Sequence, residues 1–478
     1  MAEASKLNLV DRSIAYFSPK AALSRFNARR SYEAATMGRR GKSFKGANSA
    51  GPNLEISQGF ITLRNRSRHF VRNNGWAKRA INAIANNTVG EGIRPAPVGT
   101  KSQVKKIKAI WKDWAETTAC DWNGKNTFYG LQRIVMSEIA EAGDCLIVRR
   151  RVTPTRENPL PIKLQVLEGD QLDHCKDGIN DKGFARLGVQ FDEAGLTIGY
   201  WIWPQHPTDM TGKLSSLQSQ YFSVNDIIHP FELLRISQVR GVPMGISSFI
   251  KMSDFSDYED AQLVRQKAAA AFCAFRTGRE GVASSDLESL EPGIIEDLGE
   301  GETIEFSKPP AADGYAEYSK KILQGIAAAY GITYEMLTMD YSNVNFTSGR
   351  MAKIDITPNF RNWQYNMMVP QVCVNVWRWF MDAVIMTGLS STKVVCNATD
   401  WTAPRVQQLD PVKETNARVL QLQAGLTTWS ESVREDGRDP QEFLDEIIAE
   451  RKLLADAGIT FSSIMIAPEP LEPDPNIL

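Results

Sequence analysis

Residues 38–43 read "GRRGKS", a glycine, a lysine and a hydroxyl spaced as at the end of a phosphate-cradling loop. The full motif needs a glycine five residues before Gly41. Thr36 stands there, and no apolar strand precedes it, so ATP binding is not expected. The glycines of "GEGI" and "GEGETI" lack the third glycine of a dinucleotide fingerprint and read as turns. His69, His174, His206 and His229 are far apart, and none has a partner at metal-ligand spacing. His206 and His229 each precede a proline, which reads as loop. A nucleophile elbow of the form G-x-S-x-G is missing. Residues 280–306 hold nine acids and no Lys or Arg, but not the alternation of oxygen ligands that calcium needs. That run reads as a solvated or partner-facing surface. These residues form no catalytic constellation, and no cofactor or metal is expected. Two function classes remain: an assembly component, or a nuclease built on scattered acids.

At 478 residues the chain exceeds one compact domain, and 42% hydrophobic with 23% charged residues is an ordinary globular composition. The net charge of −1 hides a polarity. Residues 1–82 carry sixteen basic against four acidic residues, and residues 429–478 carry four against twelve. Opposite ends suit different partners, or neighbouring copies. Six scattered cysteines (120, 145, 175, 273, 373, 396) without a C-x-x-C pair point to a reducing compartment rather than a disulfide framework. The first residues lack the apolar core of a signal peptide. The most membrane-like stretch, 367–386, contains Pro370, Gln371, Asn375, Arg378 and Asp382 and reads as a buried helix.

A basic, weakly periodic arm covers 1–57. Helical spacing follows: Ala77, Ile81 and Ile84 up to Gly90; Val104, Ile107, Trp111 and Trp114; Phe128, Leu131, Val135 and Ile139. From Gly143 the period turns to two, and "CLIVRRRV", "IKLQVLE", "LGVQFD", "TIGYWIW" and "YFSVNDIIH" read as strands of a largely antiparallel sheet. A long helix is predicted over 245–277, then short strands and turns over 280–306, where Pro292 and four glycines oppose a helix. Helix returns over 315–330, and again from Ser348 to Gly388 with interruptions at Pro358 and Pro370. Near the end, Asp439 is an N-cap, Pro440 the first helical residue, Glu442 a capping-box partner and Gly458 the stop. An acidic, Pro-rich tail closes the chain.

The order of several stretches resembles portal proteins of lambda-type tailed phages. They include "RSRHFVRNNGWAKRAINAIANNTVGEGIRP", "AGDCLIV", "LQVLEGDQLD", "GVQFDEAGLTIGYWIW", "IIHPFELLRISQVRGVP", "LEPGIIEDLGEGETIEFSKP", "GITYEMLTMDYSNVNFTSGR" and "LDPVKETNARVLQLQAGLTT". The similarity spans roughly residues 55–455. It implies an α+β portal-type subunit in a homo-oligomeric, usually dodecameric ring at one capsid vertex of the virion, assembled in the host cytoplasm. Its implied partners are its own copies, double-stranded DNA in the channel, the terminase large subunit, a head–tail adaptor, and the major capsid and scaffold proteins, with no membrane. On the portal plan, the arm 1–57 precedes a wing 58–241, a first stem helix 242–277, a clip 278–312 and a second stem helix 313–331. A tunnel loop 332–347, a long helix returning to the wing (348–410), crown helices 411–457 and a flexible tail 458–478 complete it. In the clip, Asp286, Glu288, Glu291, Glu296, Asp297, Glu300 and Glu302 would dock the terminase and adaptor.

Within "DYSNVNFTSGR", residues 341–349 carry no charge at all. A loop in a DNA channel must touch the duplex without holding it. Each cation on phosphate adds salt-dependent affinity, multiplied by the number of copies. Tyr341, Ser342, Asn343, Val344, Asn345, Phe346 and Thr347 are the expected tunnel-loop residues, with Val344 and Phe346 as exposed bulk. Ser348 is the expected cap of the next helix, and Arg350 and Lys353 stand behind the loop as weak phosphate contacts.

Overall fold

The structure, a computed structural model, describes residues 14, 16–20, 49–155, 158–209, 218–270, 274–277, 303–306, 314–389, 399–404 and 410–458. The chain forms two compact units, Met1–Glu55 and Ile56–Leu478, and the second holds nearly everything described below. Helix α1 (Pro52–Asn73) is followed by α2 (Gly75–Thr88), whose start is capped by Asn74, its side chain accepting from the backbone N–H groups of Trp76 and Ala77. The buried face of α2 is mostly alanine, with Ile81 and Ile84, so a neighbouring helix can lie close. Strand β1 (Arg94–Pro97), α3 (Lys101–Ala115) and α4 (Phe128–Ala142) follow, and α4 stops at Gly143 with φ +98°.

The chain then turns to strands. β2 (Cys145–Arg151) pairs antiparallel with β3 (Ile162–Glu168). Next come β4 (Gly178–Asn180), β5 (Gly183–Arg186), β6 (Val189–Phe191), β7 (Thr197–Ile202) and β8 (Gln220–Ser223), an antiparallel meander in sequence order. β9 (Ile227–Ile228) returns to pair with β2. Helix α5 (Phe249–Ala270) leaves this sheet region, β10 (Ala274–Thr277) pairs with β11 (Thr303–Phe306), and α6 (Tyr315–Ala329) comes back. After short α7 (Tyr334–Thr338), α8 (Phe346–Asn362) continues through a π-helical segment, Trp363–Cys373, into α9 (Val374–Met386). β12 (Thr399–Thr402) pairs with β1, and α10 (Pro411–Gln423), α11 (Trp429–Glu435) and α12 (Pro440–Asp456) end the described chain. The architecture is α+β.

Four sequence readings are corrected here. The helix predicted over 245–277 gives way at its end to β10, because Ala274–Thr277 bonds across to Thr303–Phe306. The helix predicted from Ser348 begins at Phe346. It passes both prolines without a break: Pro358 lies on its exposed side, and Pro370 lies within the wider π segment. Glu442 does not complete a capping box; its carboxylate reaches Lys108 Nζ at 2.9 Å, while Asp439 caps α12 alone. The membrane-like stretch 367–386 is a buried helix: Met368, Val376, Phe380 and Val384 are wholly enclosed. Among the described residues, no helix is long and apolar enough to cross a membrane.

The main core is aromatic. Trp111 lies 4.9 Å from Phe380 and 5.0 Å from Trp377 between ring centroids, and Phe128 closes the cluster, so α3, α4 and α9 share one apolar centre. Beside it lies a buried charge network. Asp144, at the mouth of β2, is fully enclosed. Its carboxylate accepts from Arg64 Nη2 at 2.7 Å, from Arg240 Nε at 2.6 Å and from the Gly241 N–H at 3.2 Å, with His229 Nε2 also at 3.2 Å. Arg240 donates further to the carbonyls of Gly169 and Leu187. Burial alone would raise the Asp144 pKa, but Arg240, Arg64 and the His229 hydrogen bond outweigh it and hold the carboxyl well below its usual range.

Replacing Asp144 by Asn is expected to leave the Arg240 guanidinium enclosed without its counter-charge and Arg64 with Asp170 alone, costing roughly 3–5 kcal/mol in urea unfolding at pH 7. A carboxyl with a depressed folded pKa stabilises above its unfolded value, about 3.9, and loses that contribution as pH falls toward the folded value. Unfolding from pH 7 to pH 3 should therefore be steeper in the wild type below about pH 4 than in the Asp144→Asn variant.

Candidate functional site

The uncharged loop is built from turn chemistry on both sides. Met339, with φ +59°, ends α7 in the left-handed conformation. Asp340 then organises the next residues: its Oδ1 accepts from the Ser342 N–H at 3.0 Å and from Ser342 Oγ at 2.6 Å, and its Oδ2 accepts from the Tyr334 hydroxyl at 3.0 Å. Those bonds, Ser342 first, lower the Asp340 pKa. The Val344 N–H returns to the Tyr341 carbonyl, closing a turn over Ser342 and Asn343.

Asn345, not Ser348, is the N-cap. Its side chain accepts from the Ser348 N–H at 2.7 Å, while its own N–H donates to Ser348 Oγ at 3.0 Å. This is a capping box with serine in the return position. The irregular loop therefore ends at Asn345, and Phe346, Thr347 and Arg350 lie in the first turns of α8. Tyr341 and Phe346 stand 58% and 54% exposed. Val344 is only partly exposed and leans over the first turn of α8, where a side chain at Gly349 would meet its Cγ1 at 3.1 Å. The expectation that Val344 projects with Phe346 is corrected accordingly.

Below the loop lies a cavity of about 640 Å³ between the end of α2, the α6–α7 corner and α8. Val344, Ile356 and Phe360 give it an apolar wall, and Lys320, Lys353 and Arg361 bring cations to it. Lys320 Nζ also sits 5.5 Å from the Tyr334 ring centroid. Burial lowers the Lys353 pKa against the opposing effect of Glu414. Arg350 is exposed on α8. The sequence did not foretell this cavity, since its walls come from segments over 200 residues apart in the chain, as Asn86 and Lys353 show.

The acidic positions Asp286, Glu288, Glu291, Glu296, Asp297, Glu300 and Glu302 lie outside the described residues. Their frame is described: Thr277 and Thr303 are register partners, so the segment departs and returns at one point of the β10–β11 ribbon. Carboxylates do gather at strand ends, but arginines hold them. Arg68 lies 2.7 Å from both Glu168 and Asp170 and 2.9 Å from Glu138, and Arg64 reaches Asp170 at 3.3 Å. Glu168, Asp170 and His206 converge at metal-ligand distances, yet the two guanidinium groups already supply the positive charge a metal would bring. Burial pushes Glu138 up to about 7 against the pull of Arg68.

The family described as "Phage portal protein, lambda family" matches residues 37–364, a span that includes the loop. A probable portal protein of Halomonas phage phiHAP-1 is 24% identical over 460 residues, covering 90% of this chain and 88% of that protein. The portal protein of Escherichia phage N15 and portal protein B of Escherichia phage lambda are each 20% identical over 459 residues, covering 82% of this chain and 84% of theirs. Among solved structures, a chain from the neck of a native gene transfer agent particle, computed with C12 symmetry, is 14% identical with a TM-score of 0.46, covering 82% of this chain and all of that one. A chain from the virion of a native gene transfer agent particle gives 14% and 0.44, covering 82% and 95%.

The cap geometry separates two neighbouring asparagines. Asn345→Ala should destabilise the start of α8 by about 1 kcal/mol, seen as faster amide exchange in residues 346–350. Asn343→Ala, on the exposed turn, should stay within about 0.5 kcal/mol of the wild type. Equal effects at both positions would contradict the assignment of the cap.

Proposed function

Because this chain belongs to the lambda family of phage portal proteins, we propose that its copies close into a ring at one vertex of the capsid and that double-stranded DNA passes through the ring. The observation that carries this reading is the family match over residues 37–364, together with relatives that align over more than four-fifths of the chain and are themselves described as portal proteins. In this reading the loop 340–345, with Phe346 and Thr347 in the following turn, faces the channel. Support comes from its chemistry: it offers short hydroxyl and amide groups and exposed aromatic bulk, with Lys320, Lys353 and Arg361 lining the adjoining cavity and Lys413 Nζ 5.8 Å from the Phe346 ring centroid. Duplex can slide over such a tip with little counterion-linked affinity.

The acidic segment between Thr277 and Thr303 then serves as the docking surface for the terminase large subunit and later for a head–tail adaptor, by long-range attraction of basic partners. Energy for packaging comes from the separate terminase, and this chain carries out no catalysis. The strand-end carboxylates that a nuclease would need for metal binding are instead paired with Arg64, Arg68 and Arg240.

Lysines placed on the loop test the channel role. The Ser342→Lys, Asn343→Lys variant leaves the Asn345 cap intact and adds two cations per copy. Heads assembled with it are expected to hold shorter packaged DNA than wild-type heads, with the deficit greatest at low salt. Full-length DNA in those heads at low salt would remove the loop from the channel. Negative-stain images of the purified wild-type protein check the ring itself, by the presence of a central hole.

A further inference from the structure

Helices α10, α11 and α12 are fastened to one another and to the body of the chain by different forces. Among themselves they use rings as well as charge. Trp429 and Phe443 stack with centroids 5.9 Å apart, the Arg438 guanidinium lies 4.9 Å from the Phe443 centroid, and Arg418 ties α10 to Asp436 at 2.7 Å. Toward the body they bring little apolar surface. Neither apolar core includes a residue of 410–458, and among the described residues of that span only Ser432 and Val433 are buried. Val412, Leu420, Ile448 and Leu453 are each more than half exposed. Burial of apolar area is therefore not the main force that holds this unit in place.

Charge holds it instead. On α3, at about 100° per residue, Lys101, Lys105, Lys108 and Lys112 fall within about 60° of one another and form a stripe. Carboxylates of α12 and its cap lie along that stripe: Asp445 is 2.7 Å from Lys101, and Asp439 and Glu442 are 3.1 and 2.9 Å from Lys108. Lys101, with Lys105 behind it, lowers the Asp445 pKa. Arg434 of α11 reaches Asp400 of β12 at 3.5 Å. At the start of the unit, Lys413 Nζ lies 5.8 Å from the Phe346 ring centroid, and Glu414 acts on Lys353 of α8. The unit thus spans from α3 to the first turns of α8, and every one of these contacts carries a charge. Such contacts are individually weak, and the screening length falls from about 10 Å at about 0.1 M salt to about 3 Å at about 1 M.

We propose that α10–α12 form a salt-sensitive latch, which when docked braces the start of α8 against the lysine stripe of α3 and when screened comes away as a unit. The inference goes beyond the ring reading and does not rest on it, since both halves of the latch lie in one chain. Ionic strength then reaches the loop through the turn that Asn345 caps, because Phe346 is both the first residue of α8 and the neighbour of Lys413.

Hydrogen exchange of the full chain reads the latch, with α9 as an internal reference. Raising NaCl from about 0.05 M to about 1 M should speed exchange several-fold in 411–423, 440–456 and 346–350 relative to 374–386. Lys108→Met keeps an apolar stem without its charge, and should speed exchange of α12 about fivefold at the lower salt. Lys101→Glu should speed it about threefold, and adding Asp445→Lys should restore it. Both positions of that swap are exposed, so the swap decides the matter if Lys108→Met disturbs folding. It is read at one salt concentration, so a change of assembly with salt cannot imitate it. Exchange in α12 that follows α9 at both salt concentrations would overturn the latch, as would a swap without rescue. Faster exchange in α10 and α12 with 346–350 unchanged would overturn the brace on α8.

Discussion

One carboxylate joins the sheet region to the helices that leave it. Asp144 sits where α4 ends and β2 begins, and three separated parts of the chain converge on it: Arg64 from α1, His229 after β9, and the adjacent Arg240 and Gly241 before α5. Gly143 and Gly241 let the two backbones meet there, since a side chain on Gly143 would strike the Val242 backbone at 2.6 Å. The approach to α5 thus passes a buried ion cluster before Phe249, Met252 and Phe255 of the helix itself pack into the core. Such clusters add little net stability compared with apolar residues of the same volume, because desolvation offsets the attraction. What they supply here is geometry. A guanidinium held by a carboxylate and two carbonyls has one orientation, whereas packed aliphatics tolerate several.

The second constraint is the long helical run from Phe346 to Met386, which passes two prolines. Pro358 removes the N–H that would bond the Ile354 carbonyl, on the exposed side of α8 where water can take its place. Pro370 is itself exposed and lies where the chain widens to π geometry: the Val374 N–H reaches back five residues to the Val369 carbonyl. Asn375 donates from its side chain to the Pro370 and Gln371 carbonyls at 3.2 and 2.8 Å. The run therefore stays continuous while Met367, Met368 and Val372 remain in the core. Sequence rules that treat proline as a helix end fail here because one lost N–H, on an exposed side in α8 and within the wider π segment at Pro370, does not outweigh the buried face that the run packs.

Periodicity carried most of the fold. Helices α2, α3 and α4 and strands β2, β3 and β7 fall where apolar spacing places them: the helices bury a face in the main core, and β7 buries Tyr200 and Ile202 in a second cluster with Leu146 and Val148 of β2 and Leu167 of β3. The readings that failed depended on partners distant in sequence. Ala274–Thr277 looks like the end of a helix until it meets Thr303–Phe306. Asp144 drew no reading from the sequence, because its partners Arg64 and Arg240 stand 80 and 96 positions away. At the loop, composition showed its lack of charge, but not which residue caps α8. Ser348 and Asn345 are both good caps, and the choice is made by their mutual bonds.

That choice bears on how the loop can work. With Asn345 and Ser348 bonded to each other, and Asp340 bonded to Ser342 and Tyr334, both ends of the loop are anchored by their own side chains. Only Tyr341, Ser342 and Asn343 lie exposed between the anchors, and Val344 folds back over Gly349. A loop pinned this closely cannot sweep far by itself. Any large displacement must come from α8 moving as a body, and the side of α8 that lines the cavity is joined to that motion. Mobility at the tip is then a property of how α8 is held, not of slack in the chain.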